Sequence, residues 1–521
     1  MKTFLKEIYL FFARPFIENF NIFLFVSIMV CVPVLIGYYQ AGIDILGVIW
    51  EAAHAYLLAY IAMVVISNIQ NYRIRYIGMS IVVVLAIIDF IIESSCLRTT
   101  GSHFSSDTVA IVMATNIGES KEFIRTYFSV PFFALIIIGL MSLGYALYRF
   151  AIQINKFGKN IALVATFISI FSCSYFLLNG SESWKSKFYN KITTFITYEL
   201  PPNLREYRQN LVVECSLKAT PQFIVLILGE SYSRSHSSLY GYEKLTCPRL
   251  SRMTDSLLSV YDNVDAPATN TIPCLKAIMS TYIPEYKDSV KWYECVTLPQ
   301  IMSSVGYKTL WVSNQSPSGV FDNVAARYAE LCDTSIWVGS KYKGVYKNDY
   351  DEKVLDVFQN ANLFIPNDKY FIIIHLMGSH CSYSQRYPIE YKTFSTDDYQ
   401  NYPEHQRQIL SDYDNSVLYN DFIVSELFNI FSSKECLAYY FSDHSLDLFE
   451  SSDDYFGYGK LNNPQSLKAA ISIPYMVYGS ACFQRNFPTQ WNTIKENASL
   501  SYNTAETIKH ISDMLGIQIV D

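Results

Sequence analysis

The stretch LAYYFSDHSLDL, residues 437–448, carries an aromatic, apolar run straight into an acid and an imidazole, Asp443 and His444. A run with no polar face reads as a strand covered on both sides, and such strands belong to sheets flanked by helices. Four more runs of the same kind are FIVLIL at 223–228, TLWVS at 309–313, YFIIIH at 370–375 and IPYMVYG at 473–479, separated by longer segments of helical pattern. The alternation predicts an α/β domain with a mostly parallel central sheet. In such sheets the functional groups gather beyond the carboxyl ends of the strands.

The polar residues of interest fall at those ends. Glu230 follows the first run in LGESYSRSHSSLYGY, and Asp443 and His444 follow LAYYFS. Two carboxylates and an imidazole at one sheet edge form a mixed oxygen and nitrogen donor set, which suits zinc, with manganese as the alternative. An acid after a strand is ordinarily a helix cap; the adjacent Asp-His pair is the more specific signal. The segment DAPATNTIPCLKAIMSTY, 265–282, supplies Thr269 and Thr271 just ahead of a helical stretch. Either hydroxyl is a poor nucleophile unless a metal or base activates it, and Thr271 taken alone reads as an N-cap. At a helix N-terminus it would also offer backbone N–H groups to a phosphate. His375 and His380, in IIIHLMGSHCSYSQRYP, are close enough on one loop to face one cleft. They would bind a second metal or steady a phosphoryl or leaving-group oxygen, or else are ordinary loop histidines.

Outward from this domain, the chain becomes a membrane protein. It has 521 residues, half of them hydrophobic and only 17% charged, too long and too apolar for one soluble domain. Apolar runs at 22–38, 46–66, 77–92, 130–148 and 161–178 each match the length that crosses roughly 30 Å of hydrocarbon. Lys2, Lys6 and Arg14 precede the first run, Arg73 and Arg75 lie between the second and third, and Arg149, Lys156 and Lys159 between the fourth and fifth. The positive-inside rule then places the N-terminus in the cytoplasm, and an odd number of spans delivers the C-terminal domain to the outside. No removable signal peptide is read, so the first run is an uncleaved anchor. The external connection, about 104–127, has the spacing of an amphipathic helix lying on the membrane surface. Glu51 with His54, and Asp89 with Glu93, share helix faces within the spans, where charge is costly and is either interhelical packing or function. The expected organisation is a transmembrane domain 1–180, a linker 181–220 and an external catalytic domain 221–521.

Taken together, LGESYSRSHSSLYGY, TIPCLKAIMS, GYKTLWVSNQ, HLMGSHCSYSQRYP, YDNSVLYNDFIV and YFSDHS resemble, in order, the phosphoethanolamine transferases of the alkaline phosphatase and sulfatase superfamily. The resemblance covers about 221–518, and the five-span membrane part looks similar as well. It implies an alkaline-phosphatase-like fold, with Glu230, Thr271, Asp443 and His444 as ligands of a catalytic Zn2+ and the Thr271 oxygen doubling as nucleophile. It implies that His380, and more weakly His375, contact the phosphoryl group or a second zinc. Thr271 overlays the nucleophile of the sulfatase pattern C-x-P-S-R, where a sulfatase would need cysteine, so sulfate-ester hydrolysis is disfavoured. Some members place their threonine three residues earlier, where this chain has Ala268, which leaves Thr269 as the alternative. TNIGE resembles a donor-lipid contact segment, with Thr115 and Glu119 lining the ethanolamine end; Ile111 stands where an asparagine often does. Tyr458 in YFGYGK replaces a second histidine, which puts a full second metal site in doubt.

The implied reaction moves phosphoethanolamine from phosphatidylethanolamine to lipid A, lipopolysaccharide core or another envelope glycan at the bacterial inner membrane, with the catalytic domain periplasmic. Competing readings are a phosphoglycerol transferase using phosphatidylglycerol and a non-catalytic membrane sensor. A net charge of -7 without a lysine- or arginine-rich run excludes a nucleic-acid partner. Eleven cysteines lack paired CxxC spacing, eight of them in the C-terminal part, where an oxidising compartment would permit disulfides.

Overall fold

The computed structural model describes residues 2–40, 45–100, 163–171 and most of 212–520, with short breaks, and isolated positions elsewhere between 104 and 204. The chain divides into two compact units.

In the N-terminal unit, α1 (Lys2–Ile17), α2 (Phe20–Gln40), α3 (Ile45–Ser67) and α4 (Tyr72–Thr100) are helical. The runs at 22–38, 46–66 and 77–92 fall in α2, α3 and α4. The fourth run lies largely outside the described residues, and the fifth is described, as helix, over 163–171; the amphipathic segment about 104–127, Thr115 and Glu119 and most of the linker lie outside them. Among the described residues one helix, Tyr72–Leu97, is long and apolar enough to cross a membrane; Phe4–Ile17 and Phe20–Ile36 pass together but bend by 70° between them. Within α3, the segment Ala52–Ser67 is apolar. The burial pattern is the reverse of a soluble bundle's. Ile77, Ile81, Val84 and Ile88 of α4 are exposed, as expected of a surface meant for lipid. The interior instead holds Phe23, Tyr60 and Met63, with Phe16 edge-on to Phe23 at 5.1 Å and the Tyr60 hydroxyl donating to Phe12 O at 2.9 Å. His54 and Glu93, flagged as costly at membrane depth, are buried inside this unit.

The C-terminal unit is built on a seven-stranded sheet. In chain order its strands are β1 (Phe223–Gly229), β2 (Leu258–Val260), β3 (Tyr307–Ser313), β4 (Thr334–Trp337), β5 (Lys369–His375), β6 (Cys436–Ser442) and β7 (Tyr475–Gly479), arranged β2-β7-β6-β1-β5-β3-β4. From β6 to β4 all four pairings are parallel, while β7 runs antiparallel to both β6 and β2. The sheet is therefore mixed, and the IPYMVYG run that read as one more parallel strand is reversed. A buried apolar run looks the same in either direction; only the path of its connection sets its polarity. The two strands unmarked in the sequence, β2 and β4, have three and four residues, too short to show a period.

Alternation within the runs explains why they are apolar throughout. Ile224, Leu226 and Leu228 of β1 join Phe371, Ile373, Tyr439 and Phe441 on one face, against α5 (Thr271–Met279). Phe223, Val225 and Ile227 join Ile372, Ile374, Ala438 and Tyr440 on the other, against α6 (Glu404–Ile430). Each fully buried branched or aromatic side chain contributes about 1.5–3 kcal/mol, so the central strands are the most strongly held part of the unit. Because β1, β3, β5 and β6 are parallel, their carboxyl ends, and the residues that follow them, emerge at one edge. No two cysteines among the described residues form a disulfide.

Candidate metal and phosphoryl-transfer site

Glu230 leaves the end of β1 and is 1% exposed; Asp443 and His444 leave the end of β6 and are 0% exposed. These three offer donor atoms within 4.8 Å of one another. The His444 imidazole places Nε2 3.2 Å from Glu230 Oε1 and 3.6 Å from Asp443 Oδ2. Its Nδ1 lies 2.7 Å from Ser445 O, an acceptor, so Nδ1 carries a hydrogen and Nε2 is the atom turned into the cluster. The Thr271 hydroxyl, in the first turn of α5, donates to Glu230 Oε2 at 3.1 Å and stands 3.4 Å from His444 Nε2. Thr269, in the bend before α5, has no such contact with the three among the described residues. Thus Glu230, Thr271, Asp443 and His444 meet, and Thr269 stays apart.

The electrostatics of this cluster are those of a cation site. Asp443 Oδ2 is buried without a hydrogen-bond partner, a costly state for a carboxylate oxygen unless an ion takes it up. Burial, and then the Glu230 charge, push the Asp443 carboxyl up to about 7. Burial opposes a charge on His444, but the neighbouring Asp443 and Glu230 carboxylates outweigh it and raise the imidazole to about 9. Glu230 moves the other way, below the usual carboxylate range, because the His444 hydrogen bond and charge overcome its burial. Three oxygens, one of them orphaned, and one imidazole nitrogen fit a zinc-type divalent ion.

The remaining predicted histidines surround this cluster with different freedoms. His375 ends β5 and is 0% exposed, with Nδ1 3.3 Å from Ser313 Oγ and Nε2 without a hydrogen-bond partner. His380 is half-buried, its backbone N–H on Met377 O and its Nδ1 3.5 Å from Cys381 Sγ. Burial lowers both rings to about 4. Tyr458, in the place of the second histidine, sets its ring 5.4 Å from that of His444.

Several positioning residues escaped the sequence reading. Ser231 takes a positive φ of 56°, rare outside glycine. Its N–H donates to Asp443 Oδ1, its hydroxyl to Glu230 Oε1 at 2.7 Å, and its carbonyl accepts the Tyr413 hydroxyl at 2.7 Å. Gln315, just past β3, donates from Nε2 to Glu230 Oε2 at 3.2 Å and to Leu376 O at 3.0 Å. Its place in GYKTLWVSNQ, directly after a strand, was the available signal. Gly378 has φ 49°, and a Cβ there would stand 2.8 Å from Glu230 O and 2.9 Å from Glu230 N. Only glycine lets that loop lie against the Glu230 backbone.

The phosphoethanolamine transferase EptC of Escherichia coli K12 is 26% identical over 460 residues, spanning 80% of this chain and 76% of that one. The crystal structure of the C-terminal periplasmic domain of E. coli EptC in complex with Zn superposes with a TM-score of 0.54 at 27% identity, covering 62% of this chain and 87% of that one. The integral membrane protein lipooligosaccharide phosphoethanolamine transferase A (EptA) from Neisseria meningitidis is similar in fold over 96% of both chains, with a TM-score of 0.66 at 16% identity. The family model described as Sulfatase matches residues 222–517, more than half the chain and the whole of the site, and the protein belongs to the sulfatase family.

Proposed function

We propose that this protein is a metal-dependent phosphoethanolamine transferase that takes the group from phosphatidylethanolamine, passes it through a phospho-threonine on Thr271, and delivers it to an envelope glycan or glycolipid such as lipid A or lipopolysaccharide core. The observation that carries the reading is the Thr271 hydroxyl against Glu230 and His444 at a helix N-terminus, in a chain whose relatives are named phosphoethanolamine transferases. Glu230, Asp443, His444 and the Thr271 oxygen would hold one Zn2+, which lowers the hydroxyl pKa and offsets charge on the phosphoryl oxygens when bound.

The chain's own residues do the rest. Thr271 Oγ1 gives up its proton and forms a bond to phosphorus as the bond to the diacylglycerol oxygen breaks, and that oxygen takes up a proton and leaves as the hydroxyl of diacylglycerol. Glu230 Oε2, which accepts the Thr271 hydrogen bond, orients the hydroxyl for attack. Asn270 gives α5 no side-chain cap, so the first N–H groups of that helix face the anion. His380, on the half-buried rim, hydrogen-bonds the phosphoryl or leaving oxygen, and the enclosed His375 supports the wall behind it. In the second half an acceptor oxygen attacks phosphorus, the Thr271 oxygen leaves, and its hydroxyl is restored.

The membrane unit serves a lipid donor. Five spans, with the N-terminus cytoplasmic and the catalytic unit periplasmic, would bring the site to the outer surface of the inner membrane, with Thr115 and Glu119 toward the ethanolamine end. The test is diacylglycerol release from phosphatidylethanolamine by the full-length protein in detergent. Release that stops with a chelator and returns with zinc supports the reading; equal or faster release from phosphatidylglycerol contradicts it.

A further inference from the structure

Asp351 lies outside the proposed ligand set, yet its carboxylate ties together two turns that pack against Glu230, a member of that set. It is 5% exposed. Oδ1 accepts the Met377 N–H at 2.9 Å and the Asn314 side-chain amide at 2.8 Å, and Oδ2 accepts the Gly378 N–H at 2.8 Å. Asn314 in turn donates from the same amide to Asp349 O at 2.7 Å and from its backbone N–H to His375 O at 3.0 Å. One buried carboxylate thus joins the turn after β3, the turn after β5 and the segment at 349–351.

What Asp351 grips is pressed against Glu230. The Ser379 N–H donates to Glu230 O at 2.9 Å, and Gly378 approaches the Glu230 backbone too closely for any side chain. Gln315, on the turn that Asn314 begins, reaches Glu230 Oε2 and Leu376 O. His380 sits two residues beyond Gly378. A shift of the Asp351 carboxylate therefore moves both the backbone and the carboxylate partner of one proposed metal ligand.

We infer that Asp351 is a positioning residue of the transfer site, setting the place of Glu230 and His380 through the 376–380 loop without touching substrate or metal. The inference rests on the reading of Glu230 as a metal ligand. An ionised carboxylate suits the task because all three of its partners are donors. In Asp351→Asn the volume is kept, but a side-chain N–H must face one of the N–H groups it formerly accepted.

The test uses full-length protein in detergent loaded with Co2+, whose d–d spectrum reports ligand geometry, alongside diacylglycerol release from phosphatidylethanolamine and thermal unfolding. Asp351→Asn is expected to bind Co2+ with a shifted d–d band and to lose about 10–100-fold in kcat, as partners of metal ligands do, with KM nearly unchanged. Asn314→Ser, which removes one donor to Asp351 and leaves the loop's own residues intact, moves both readouts the same way by less, and decides the matter if Asp351→Asn does not fold. A folded variant with the wild-type spectrum and kcat overturns the inference. Wild-type protein that binds no Co2+ overturns the functional reading and the inference with it.

Discussion

Substituting Gly378 by alanine adds one methyl group at a point where the structure has no room for it. The residue holds φ 49°, and placing an alanine in the left-handed region costs about 1–2 kcal/mol. The new Cβ would meet Glu230 O at 2.8 Å, Glu230 N at 2.9 Å and Glu230 Cβ at 3.3 Å. The two shortest contacts are backbone atoms, which cannot rotate away, so the loop and the Glu230 turn must part by roughly half an ångström at a further 1–3 kcal/mol. The sum, roughly 2–5 kcal/mol, is a large share of a typical 5–15 kcal/mol stability. The same displacement withdraws Glu230 from Thr271 and His444, for which about 10–100-fold in metal affinity is the usual scale. Thermal unfolding and zinc affinity, measured by competition with a chromophoric chelator, read the two effects. Gly241→Ala is the control: its φ is 89° but nothing lies within 4 Å of the new Cβ, so it carries the conformational cost alone and leaves zinc affinity unchanged. A Gly378→Ala protein that melts and binds zinc like wild type would refute the close-approach argument.

Further outcomes follow from the same geometry. Asp443→Asn takes the charge from the carboxylate whose Oδ2 has no hydrogen-bond partner, and should lower zinc affinity at least about 100-fold while leaving the central strands folded, checked by metal content and far-UV circular dichroism. Zinc affinity should also depend on pH. His444 keeps its proton up to about 9 in the metal-free site, and a cation must displace that proton. Affinity therefore rises as pH climbs toward 9 and falls roughly tenfold per unit below it, more steeply once the Asp443 carboxyl, raised to about 7, also takes a proton. A flat profile from pH 6 to 9 in a calorimetric titration would contradict the assigned charges.

The sequence made the site's chemistry legible because the chemistry sits in adjacent residues at the ends of strongly patterned strands. Continuous apolar runs located β1, β3, β5, β6 and β7, and the acid and imidazole after β1 and β6 pointed to the edge where Glu230, Asp443 and His444 meet. Strand polarity was not legible: β7 is as apolar as β6 but runs the opposite way. Nor was the choice between Thr269 and Thr271, which share a segment: Thr269 lies in the bend before α5, and Thr271 opens the helix with its hydroxyl on Glu230. The supporting residues were hidden for another reason. Ser231, Gln315, Asp351 and Tyr413 act through contacts with partners tens to hundreds of positions away, or through a backbone angle, and neither leaves a periodic trace. In the N-terminal unit hydropathy marked α2, α3 and α4, while α1, shorter and studded with Lys2, Lys6 and Arg14, carried no such mark.

The central claim is that Thr271 becomes covalently phosphorylated by the lipid donor, and intact-protein mass spectrometry after incubation with phosphatidylethanolamine tests it most directly. Wild type and Thr269→Ala should both gain one phosphoethanolamine on the peptide containing residue 271, and Thr271→Ala should gain none while keeping its fold. An adduct that persists in Thr271→Ala, or disappears in Thr269→Ala alone, would contradict the assignment of the nucleophile.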